Sequence, residues 1–333
     1  MLKNKTVLIT GGTGSFGKAF LEEVLSNHSP KKVIIFSRDE YKQHLLSKKY
    51  SPSLYPIRFF IGDIRDKDRL YRAFEGVDIV VHTAALKHVP LCEYNPIEAV
   101  NTNILGAQNI INAAIDKGVK KVIAISTDKA VNPINLYGAT KLVMEKLLIA
   151  ANAYVGTKNT LFSVVRYGNV IGSRGSVVEY FLSLKKEGIK EFPITDIRMT
   201  RFWITLKQAV NFVIEAIDEA VGGEIFVPKI PSMKLIDLVK TIEPKCKIKI
   251  IGIRPGEKIH ETLISEDEAR NTYIYKNRFV ILPEFGWKNH KLEKYKKSKK
   301  VEEGFIYRSD LNQDILSISE LKKIIQQFQS QIF

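Results

Sequence analysis

The sequence of 333 residues predicts an α/β fold in which a doubly wound parallel sheet is followed by a smaller C-terminal lobe. Two observations support this prediction. In the first half of the chain short apolar runs alternate with helical segments, and a glycine-rich turn follows the first run. Strands that are apolar along their whole length are typical of a parallel sheet covered by helices on both faces. The predicted strands are residues 6–10, 32–36, 57–61, 78–82, 121–126 and 161–166.

Helices are predicted between these strands, including residues 16–26 and 97–115. In the longer segment apolar residues recur every three or four positions, which gives the helix one apolar face. That face consists of Ile97, Val100, Ile104, Ala107, Ile111 and Ala114.

The composition is basic, because 51 Lys and Arg residues against 36 Asp and Glu residues give a formal net charge of +15. Such an excess suits either nucleic acid or small anionic substrates. The sequence has no RNA-binding aromatic motif, zinc finger or helix-turn-helix pattern, so no nucleic-acid partner is expected. Seven lysines lie in residues 288–300 beside one acidic residue, Glu293, and this stretch is expected to be a solvated, partly mobile surface segment.

No apolar run approaches the roughly 20 residues of a membrane-spanning helix. The N-terminus leads at once into the first strand, without the pattern of a signal peptide. The two cysteines, Cys92 and Cys246, form neither a disulfide framework nor a zinc-ligand pattern. We therefore expect a cytoplasmic protein with no membrane partner and no metal.

A glycine-rich turn, Gly11-Gly12-Thr13-Gly14-Ser15-Phe16-Gly17, joins the first strand to the first helix. Glycines at this spacing permit a tight turn, close approach of a pyrophosphate and close helix–strand packing, and the helix N-terminus then faces the phosphates. A purely structural turn is the alternative. The position of the turn within a strand–helix–strand unit favours a Rossmann dinucleotide site.

The end of the second strand bears on the choice of dinucleotide. Arg38, with Ser37 and Lys42, suits a 2′-phosphate and so predicts NADP. Asp39 itself suits a ribose hydroxyl, which leaves NAD as the alternative. Asp63, after the third strand, is expected to accept from the adenine amino group or else to cap the helix that begins near residue 66. The predicted cofactor-binding residues are Gly11, Thr13, Gly14, Ser15, Phe16, Gly17, Ser37, Arg38, Lys42, Asp63, Ile64, Ala84, Tyr137 and Lys141.

From about Gly168 the alternation of strands and helices loosens, and glycine, proline and charged turns become frequent. We therefore expect residues 1–168 to form the dinucleotide-binding domain, to which the chain returns around residues 197–226. Residues 169–196 and 227–333 are expected to form a substrate-binding lobe with a C-terminal tail.

Tyr137 and Lys141 are four residues apart, so on a helix they share one face. The pair follows Thr127, at the end of the fifth strand, and has the YxxxK spacing of short-chain dehydrogenase/reductases. Positive charge from the lysine and from an oxidised nicotinamide favours phenolate, so the tyrosine acts as a base near neutral pH. The alternative is a solvated Tyr and Lys on a helix surface.

Thr127 is followed by Asp128 and Lys129, which indicate proton transfers beyond simple alcohol oxidation. Oxidation of a sugar C4 to a ketone acidifies the C5–H, so that a base removes this proton while an acid protonates the departing C6 hydroxyl. The assignment of the two transfers is left open. Lys129 must be neutral to act as the base, and burial with nearby positive charge favours that form. The alternative is that Asp128 caps the following turn and Lys129 is solvated.

These residues lie in longer motifs that extend from about Asn4 to the end of the chain and thin after about Glu266. The sequence resembles the inverting UDP-N-acetylglucosamine 4,6-dehydratases of the pseudaminic acid pathway, which are extended short-chain dehydrogenase/reductases. The motifs that carry the resemblance are GGTGSFGK, FSRDEYKQ, FIGDIRD, AALKHVPLCEYNP, STDKAVNPINLYGATK, RYGNVIGSRGSV, ITDIRMTRFWIT, EIFVPKIPSMK and GIRPGEKIHE.

The resemblance implies that Asp128, Lys129 and Tyr137 are catalytic, with support from Thr127 and Lys141. It also implies that Lys87, Asn169, Met199, Arg201, Arg254 and Glu257 bind the substrate. The reaction expected is dehydration of UDP-N-acetylglucosamine to UDP-2-acetamido-2,6-dideoxy-β-L-arabino-hexos-4-ulose, the first step toward pseudaminic acid and flagellin glycosylation. A homo-oligomer, hexamer or dimer, is expected on the same basis.

Four alternatives stay open at this point. Dehydratases that retain the C5 configuration resemble Thr-Asp-Glu at the place where this chain has Thr127-Asp128-Lys129, and a 4-epimerase needs no acid–base pair there. A catalytically silent nucleotide-sensing protein is disfavoured by the intact Tyr137 and Lys141. A basic nucleic-acid-binding module is the least favoured.

Overall fold

Ten strands of the described residues form one central sheet. The computed structural model describes residues 2–173, 175–284 and 290–332. The strands are β1 (Thr6–Thr10), β2 (Lys32–Ser37), β3 (Ile57–Ile61), β4 (Ile79–His82), β5 (Lys121–Thr127), β6 (Leu161–Tyr167), β7 (Asn169–Ile171), β8 (Glu191–Ile194), β9 (Thr200–Thr205), β10 (Ile225–Pro228), β11 (Ser232–Lys234), β12 (Lys247–Ile250), β13 (Thr262–Ile264), β14 (Thr272–Tyr275), β15 (Arg278–Ile281), β16 (Lys299–Lys300) and β17 (Tyr307–Arg308).

Helices cover both faces of this sheet and build most of the C-terminal lobe. The α-helices are α1 (Ser15–Asn27), α2 (Glu40–Lys49), α3 (Lys67–Ala73), α4 (Val89–Tyr94), α5 (Pro96–Val100), α6 (Gly106–Asp116), α7 (Leu136–Ala151), α8 (Val177–Lys186), α9 (Leu206–Glu219), α10 (Leu235–Ile242), α11 (Glu266–Ala269), α12 (Glu293–Lys296) and α13 (Ile318–Ile332). Short 3₁₀ turns occur at Asp128–Ala130 and His290–Leu292, and a π-helical turn occurs at Asn101–Leu105.

Strands β3, β2, β1, β4, β5, β6 and β10 pair in parallel, which is the doubly wound order predicted from the sequence. The fold class is therefore confirmed. Side chains of successive residues point to opposite faces, so Val33 and Ile35 of β2 pack with α1, whereas Ile34 and Phe36 pack with α3 and α6. Because helices cover both faces, most residues of the inner strands β1, β2 and β4 are apolar.

The predicted strands agree with the structure to within one residue at either end, and 6–10 and 57–61 agree at both ends. The predicted helix over 97–115 differs, because α5, the π turn at Asn101–Leu105 and α6 divide it. The extra residue of the π turn rotates the apolar face, and Ile97 is 66% exposed. In its place the π turn buries Asn103, whose side chain hydrogen-bonds the main-chain N and O of Leu86, both at 2.9 Å.

The C-terminal half both extends the sheet and forms a separate lobe. Strands β15, β14 and β16 add to β10 in antiparallel pairing, although the sequence assigned residues 227–333 to the second lobe. The lobe has its own core, in which Phe181, Phe192, Trp203 and Leu238 are buried. Among the described residues, none of the helices combines the length and the apolar composition needed to cross a membrane.

The lysine-rich stretch contributes two buried side chains to the core, over the residues described from 290 onward. Leu292 and Tyr295 are buried, and the Tyr295 hydroxyl donates to the Glu219 carbonyl at 3.0 Å. Lys299 and Lys300 form β16. The expectation of a solvated segment holds for most of its lysine side chains but not for Leu292 and Tyr295; residues 288 and 289 lie outside the described residues.

A buried cation fixes the C-terminal half against the sheet. Arg166 of β6 is fully buried and hydrogen-bonds Glu145 of α7 at 2.5 and 3.0 Å. It also hydrogen-bonds Glu268 of α11 at 2.8 and 2.9 Å and donates to the Leu263 carbonyl at 2.9 Å. Burial raises the pKa of Glu268, but the Arg166 charge and hydrogen bonds outweigh it and hold that pKa below its usual value.

We predict that Arg166→Met lowers the free energy of unfolding by about 3–5 kcal/mol, because it leaves the buried Glu145 carboxylate and the partly buried Glu268 carboxylate without a cation. Urea denaturation followed by circular dichroism measures this change. Arg198→Met is the matched control, since Arg198 pairs with Asp196 at 2.7 Å but is 64% exposed, and exposed pairs contribute little. Equal stability of the two variants would contradict the stabilising role of the Arg166 network.

Candidate active site

A cavity of about 1140 Å³ opens at the carboxyl ends of the parallel strands, where ligands bind in open α/β sheets. It runs from the glycine-rich turn, past the ends of β4 and β5, to the start of α8. Many of the residues singled out from the sequence line it together: Gly11, Thr13, Gly14, Ser15, Phe16, Gly17, Ser37, Arg38, Lys42, Asp63, Ile64, Ala84, Lys87, Thr127, Lys129, Tyr137, Lys141 and Asn169.

The glycine-rich turn fits a dinucleotide pyrophosphate. Gly11 has φ +67°, and a Cβ there would lie 2.9 Å from the main-chain N of Ala84. A Cβ on Gly17 would lie 2.5 Å from Gly12 Cα, so only glycine lets α1 pack this closely on the turn. Gly14 occupies the N-cap of α1 and supplies no side-chain cap, and the first turn carries no acidic residue. The N–H groups of this helix end therefore face the cavity without a competing anion.

At the end of β2, the Asp39 side chain is engaged in contacts with the helix that follows. Its carboxylate caps α2 by accepting from Lys42 N at 2.9 Å, and it also pairs with the Lys42 ammonium. Arg38 is half exposed at the cavity rim, and its Nη1 lies 3.5 Å from Asp63 Oδ2. The Asp63 carboxylate accepts from Arg65 Nη2 at 2.7 Å, which lowers its pKa although burial raises it. Asp66, and not Asp63, caps α3.

Helix α7 presents Tyr137 and Lys141 to the cavity beneath an asparagine cap, in which Asn135 Oδ1 accepts from Gly138 N at 2.8 Å. Lys141 donates to the Ile125 carbonyl at 2.6 Å, and burial lowers its pKa to about 8. Burial raises the pKa of Tyr137 to about 12, against the lowering effect of the Lys129 charge and of a hydrogen bond with Thr127. The protein alone therefore keeps the phenol protonated at neutral pH.

The acid and base candidates lie on the turn between β5 and α7. Thr127 caps this turn and donates to Asp128 Oδ1 at 2.9 Å. Asp128 is fully buried, and burial raises the pKa of its carboxyl. Its Oδ1 lies 3.0 Å from Lys129 Nζ. The alternative in which Asp128 caps the turn and Lys129 is solvated is wrong, because Thr127 is the cap and the lysine is ion-paired.

Lys129 is not held neutral in this protein, in contrast to the sequence-based expectation. Its ammonium lies 3.0 Å from Asp128 and 3.3 Å from Glu261. Burial lowers its pKa, but the two carboxylates outweigh burial and raise it above the ordinary value. A role for Glu261 was not predicted from the sequence. The only feature that could have indicated one is its place at the end of the motif GIRPGEKIHE.

The substrate candidates divide into two groups. Lys87 and Asn169 line the cavity, and burial lowers the pKa of Lys87. Met199 does not line it, because its side chain is fully buried in the core of the C-terminal lobe. Arg201 is buried and donates to the carbonyls of Ile259 and Lys258, both at 2.9 Å, while Arg254 and Glu257 lie outside the cavity lining.

Polar atoms without partners mark the cavity as a ligand site. Buried polar atoms are nearly always hydrogen-bonded, so clustered exceptions indicate an absent ligand or water. Four such atoms in the cavity lining have no hydrogen-bond partner among the described residues: Thr102 Oγ1, Ser126 Oγ, Asn169 Oδ1 and Trp203 Nε1. Within the same described ranges, no group of three or more His, Cys, Asp and Glu side chains is placed to hold a metal ion.

The chain is similar along almost its whole length to known proteins. Residues 7–283 match the family described as polysaccharide biosynthesis protein. An inverting UDP-N-acetylglucosamine 4,6-dehydratase from Campylobacter jejuni is 53% identical over 98% of both chains. A UDP-glucose 4-epimerase from Rickettsia canadensis is 45% identical over 80% of both chains. The crystal structure of Pen from Bacillus thuringiensis has 43% identity and a TM-score of 0.90 over 99% of both chains.

These similarities extend through the glycine-rich turn, the Thr127–Lys141 segment and the segment that ends at Glu261. The chain therefore belongs to the polysaccharide biosynthesis protein family and, within it, to the family of the inverting UDP-N-acetylglucosamine 4,6-dehydratases.

Proposed function

We propose that this protein dehydrates UDP-N-acetylglucosamine to the 4-keto-6-deoxy sugar nucleotide with inversion at C5, using NADP. The observation that carries the proposal is the ion pair between the buried Asp128 and the partly exposed Lys129, next to Tyr137 and Lys141. Tyr137 and Lys141 suit alcohol oxidation, and the Asp128–Lys129 pair suits the loss of water. The similarity to the Campylobacter dehydratase supports the same substrate and stereochemistry.

Tyr137 is the group that removes the C4 hydroxyl proton. A nicotinamide dinucleotide, when bound, would accept a hydride from C4 and return it at C6, and the returned hydride would be balanced by a proton added at C5. The raised pKa of Tyr137 makes phenolate unfavourable in the protein alone, so added positive charge near the phenol favours proton removal. Thr127, which hydrogen-bonds the phenol, orients it toward the sugar.

The Asp128–Lys129 pair supplies the proton transfers of elimination. Oxidation at C4 acidifies C5–H, and elimination requires one group to accept that proton and another to protonate the C6 oxygen. The pair holds one transferable proton across 3.0 Å, between a carboxyl whose pKa is raised by burial and an amine whose pKa is raised by two carboxylates. Proton transfer within the pair gives an acid and a base together, and elimination restores the ion pair.

NADP is proposed on the basis of Arg38. Its guanidinium is half exposed beside Ser37 at the end of β2, where a 2′-phosphate of a bound dinucleotide would lie. Asp39 is engaged in capping α2 and in pairing with Lys42, which leaves it less suited to a ribose hydroxyl. Asp63 is proposed to accept from the adenine amino group.

A UDP-sugar 4-epimerase is the second candidate, favoured by the similarity to the Rickettsia protein. Epimerisation needs a base at the C4 hydroxyl and a hydride carrier, and it leaves the buried Asp128–Lys129 pair without a role.

On the family resemblance, we also propose that the keto sugar enters the pseudaminic acid route to flagellin glycosylation. A cytoplasmic location and a homo-oligomer, dimer or hexamer, are proposed on the same basis.

We predict that purified protein incubated with UDP-N-acetylglucosamine in D₂O gives a product that has lost one water and carries deuterium at C5. Mass spectrometry detects the loss, and NMR gives the isotope position and the C5 configuration. An unchanged substrate formula would favour epimerisation. Water loss with retained C5 configuration would indicate a retaining dehydratase.

We predict that Arg38→Ala weakens NADP binding far more than NAD binding, because the variant loses a guanidinium that suits the 2′-phosphate. Isothermal titration with each dinucleotide measures the two affinities. Arg72→Ala, which removes an exposed arginine outside the cavity, should change neither. Equal losses for NADP and NAD in Arg38→Ala would remove Arg38 from cofactor discrimination.

We predict that Lys129→Met retains cofactor and binds UDP-N-acetylglucosamine but turns over about 10²–10⁴-fold more slowly, the usual effect of losing a positioned acid or base. Single-turnover kinetics and titration of the sugar nucleotide separate these effects. Lys120→Met, which removes a lysine that is 62% exposed, is the control and should retain wild-type turnover. Normal turnover in Lys129→Met would exclude a proton-transfer role for this lysine.

A further inference from the structure

Glu261 is a buried carboxylate from the C-terminal half that reaches the candidate catalytic turn. It lies directly before β13 and is 2% exposed. Its Oε1 lies 3.3 Å from Lys129 Nζ and 3.8 Å from Arg201 Nε. Ser309 holds its main chain on both sides, because Ser309 Oγ accepts from Glu261 N at 3.0 Å and Ser309 N donates to Glu261 O at 2.9 Å. The main chain at Glu261 is therefore held in place beside the catalytic turn.

The segment that ends at Glu261 is attached to the catalytic turn at two further points. Asn135, which caps α7, donates through Nδ2 to the Gly256 carbonyl at 2.7 Å. Lys258 donates to the Val131 carbonyl at 2.5 Å. Residues 254–261 thus contact both ends of the turn between β5 and α7. The same segment carries Arg254 and Glu257, the residues assigned to the nucleotide by resemblance.

We propose that Glu261 is a positioning residue that orients the Lys129 ammonium toward the sugar and couples it to the segment 254–261, which carries the residues assigned to the nucleotide by resemblance. Glu261 itself does not line the cavity, whereas Lys129 does. It therefore acts through Lys129 and does not touch the sugar. The kinetic part of this inference rests on the proposed function, but the ionisation of Lys129 does not.

The charges around Lys129 give the sign of the effect. Asp128 and Glu261 raise the pKa of Lys129 and Arg201 lowers it; Lys87, Lys258 and Tyr137 are the other titratable groups that interact with it. Removal of the Glu261 charge therefore lowers the pKa of Lys129. The same removal also lowers the pKa of Asp128, which Glu261 raises by repulsion. Without the Glu261 charge, Lys129 and Asp128 therefore both lose their protons at lower pH than in the wild type.

The decisive experiment measures the ionisation of Lys129 directly in the cofactor-loaded protein. Acetic anhydride acetylates only the neutral amine, and peptide mass spectrometry reports the rate at Lys129 from pH 7 to pH 10. An opposite charge at this distance shifts a pKa by about 1–3, so Glu261→Gln should raise the rate at Lys129 by about 10–1000-fold at a given pH. The exposed Lys120 serves as an internal reference whose rate should not change.

Glu257→Gln is the matched comparison, because Glu257 lies on the same segment and 3.7 Å from Arg201. We expect it to raise KM for UDP-N-acetylglucosamine and to leave the acetylation of Lys129 unchanged. Glu261→Gln should instead lower kcat and move its pH profile to lower pH, with little change in KM. An unchanged acetylation rate in folded Glu261→Gln would overturn the proposal.

Glu261→Asp tests positioning separately from charge. It keeps the carboxylate but withdraws it by one methylene, so the acetylation profile should stay near that of the wild type while kcat falls. Wild-type kcat in this variant would contradict the positioning role, and this arm remains available if Glu261→Gln does not fold. A wild type that does not dehydrate UDP-N-acetylglucosamine would overturn the proposed function, while the acetylation result would still decide the contact between Glu261 and Lys129.

Discussion

The ion cluster of Asp128, Lys129 and Glu261 joins the two halves of the molecule at the mouth of the sheet. Burial of a charge is unfavourable unless an opposite charge lies within contact, so each member depends on the others. Asp128 and Lys129 come from the turn after β5, whereas Glu261 comes from the segment before β13. The candidate site is consequently complete only when the C-terminal segment has packed against the dinucleotide-binding sheet.

The parallel sheet explains why one edge gathers so many functional groups. The carboxyl ends of parallel strands lie at the same edge, and here β1 leads into the glycine-rich turn while β5 ends at Thr127. The buried Arg166 fixes a second contact within the same sheet. Arg166 on β6 is paired with Glu145 on α7 and Glu268 on α11, so α7 is fixed both at its cap by Asn135 and along its length by Glu145.

Local patterns in the sequence were sufficient for the sheet and for the residues around its carboxyl edge. Strands such as 57–61 and the turn at Gly11 are determined by residues that are neighbours in the sequence. The pattern of apolar residues reveals the strands, and the spacing of the glycines reveals the turn. Asn103 was not predictable in this way, because a π turn adds one residue to a helix without a signal in its apolar period. Glu261 and strands β14–β16 depend on contacts between residues far apart in the chain, which no local pattern encodes.

The ionisation of Lys129 shows how such a distant contact changes a chemical interpretation. From the sequence, burial among positive charges favours a neutral amine that is ready to act as a base. With Glu261 in contact, the same lysine is a cation beside a carboxyl whose pKa is raised, so the pair stores one proton between two groups. An enzyme that only oxidises and reduces an alcohol has no use for a stored proton that lies apart from Tyr137. Elimination of water needs both an acceptor and a donor near C5 and C6, and a pair that shares one proton at the cavity lining meets that need.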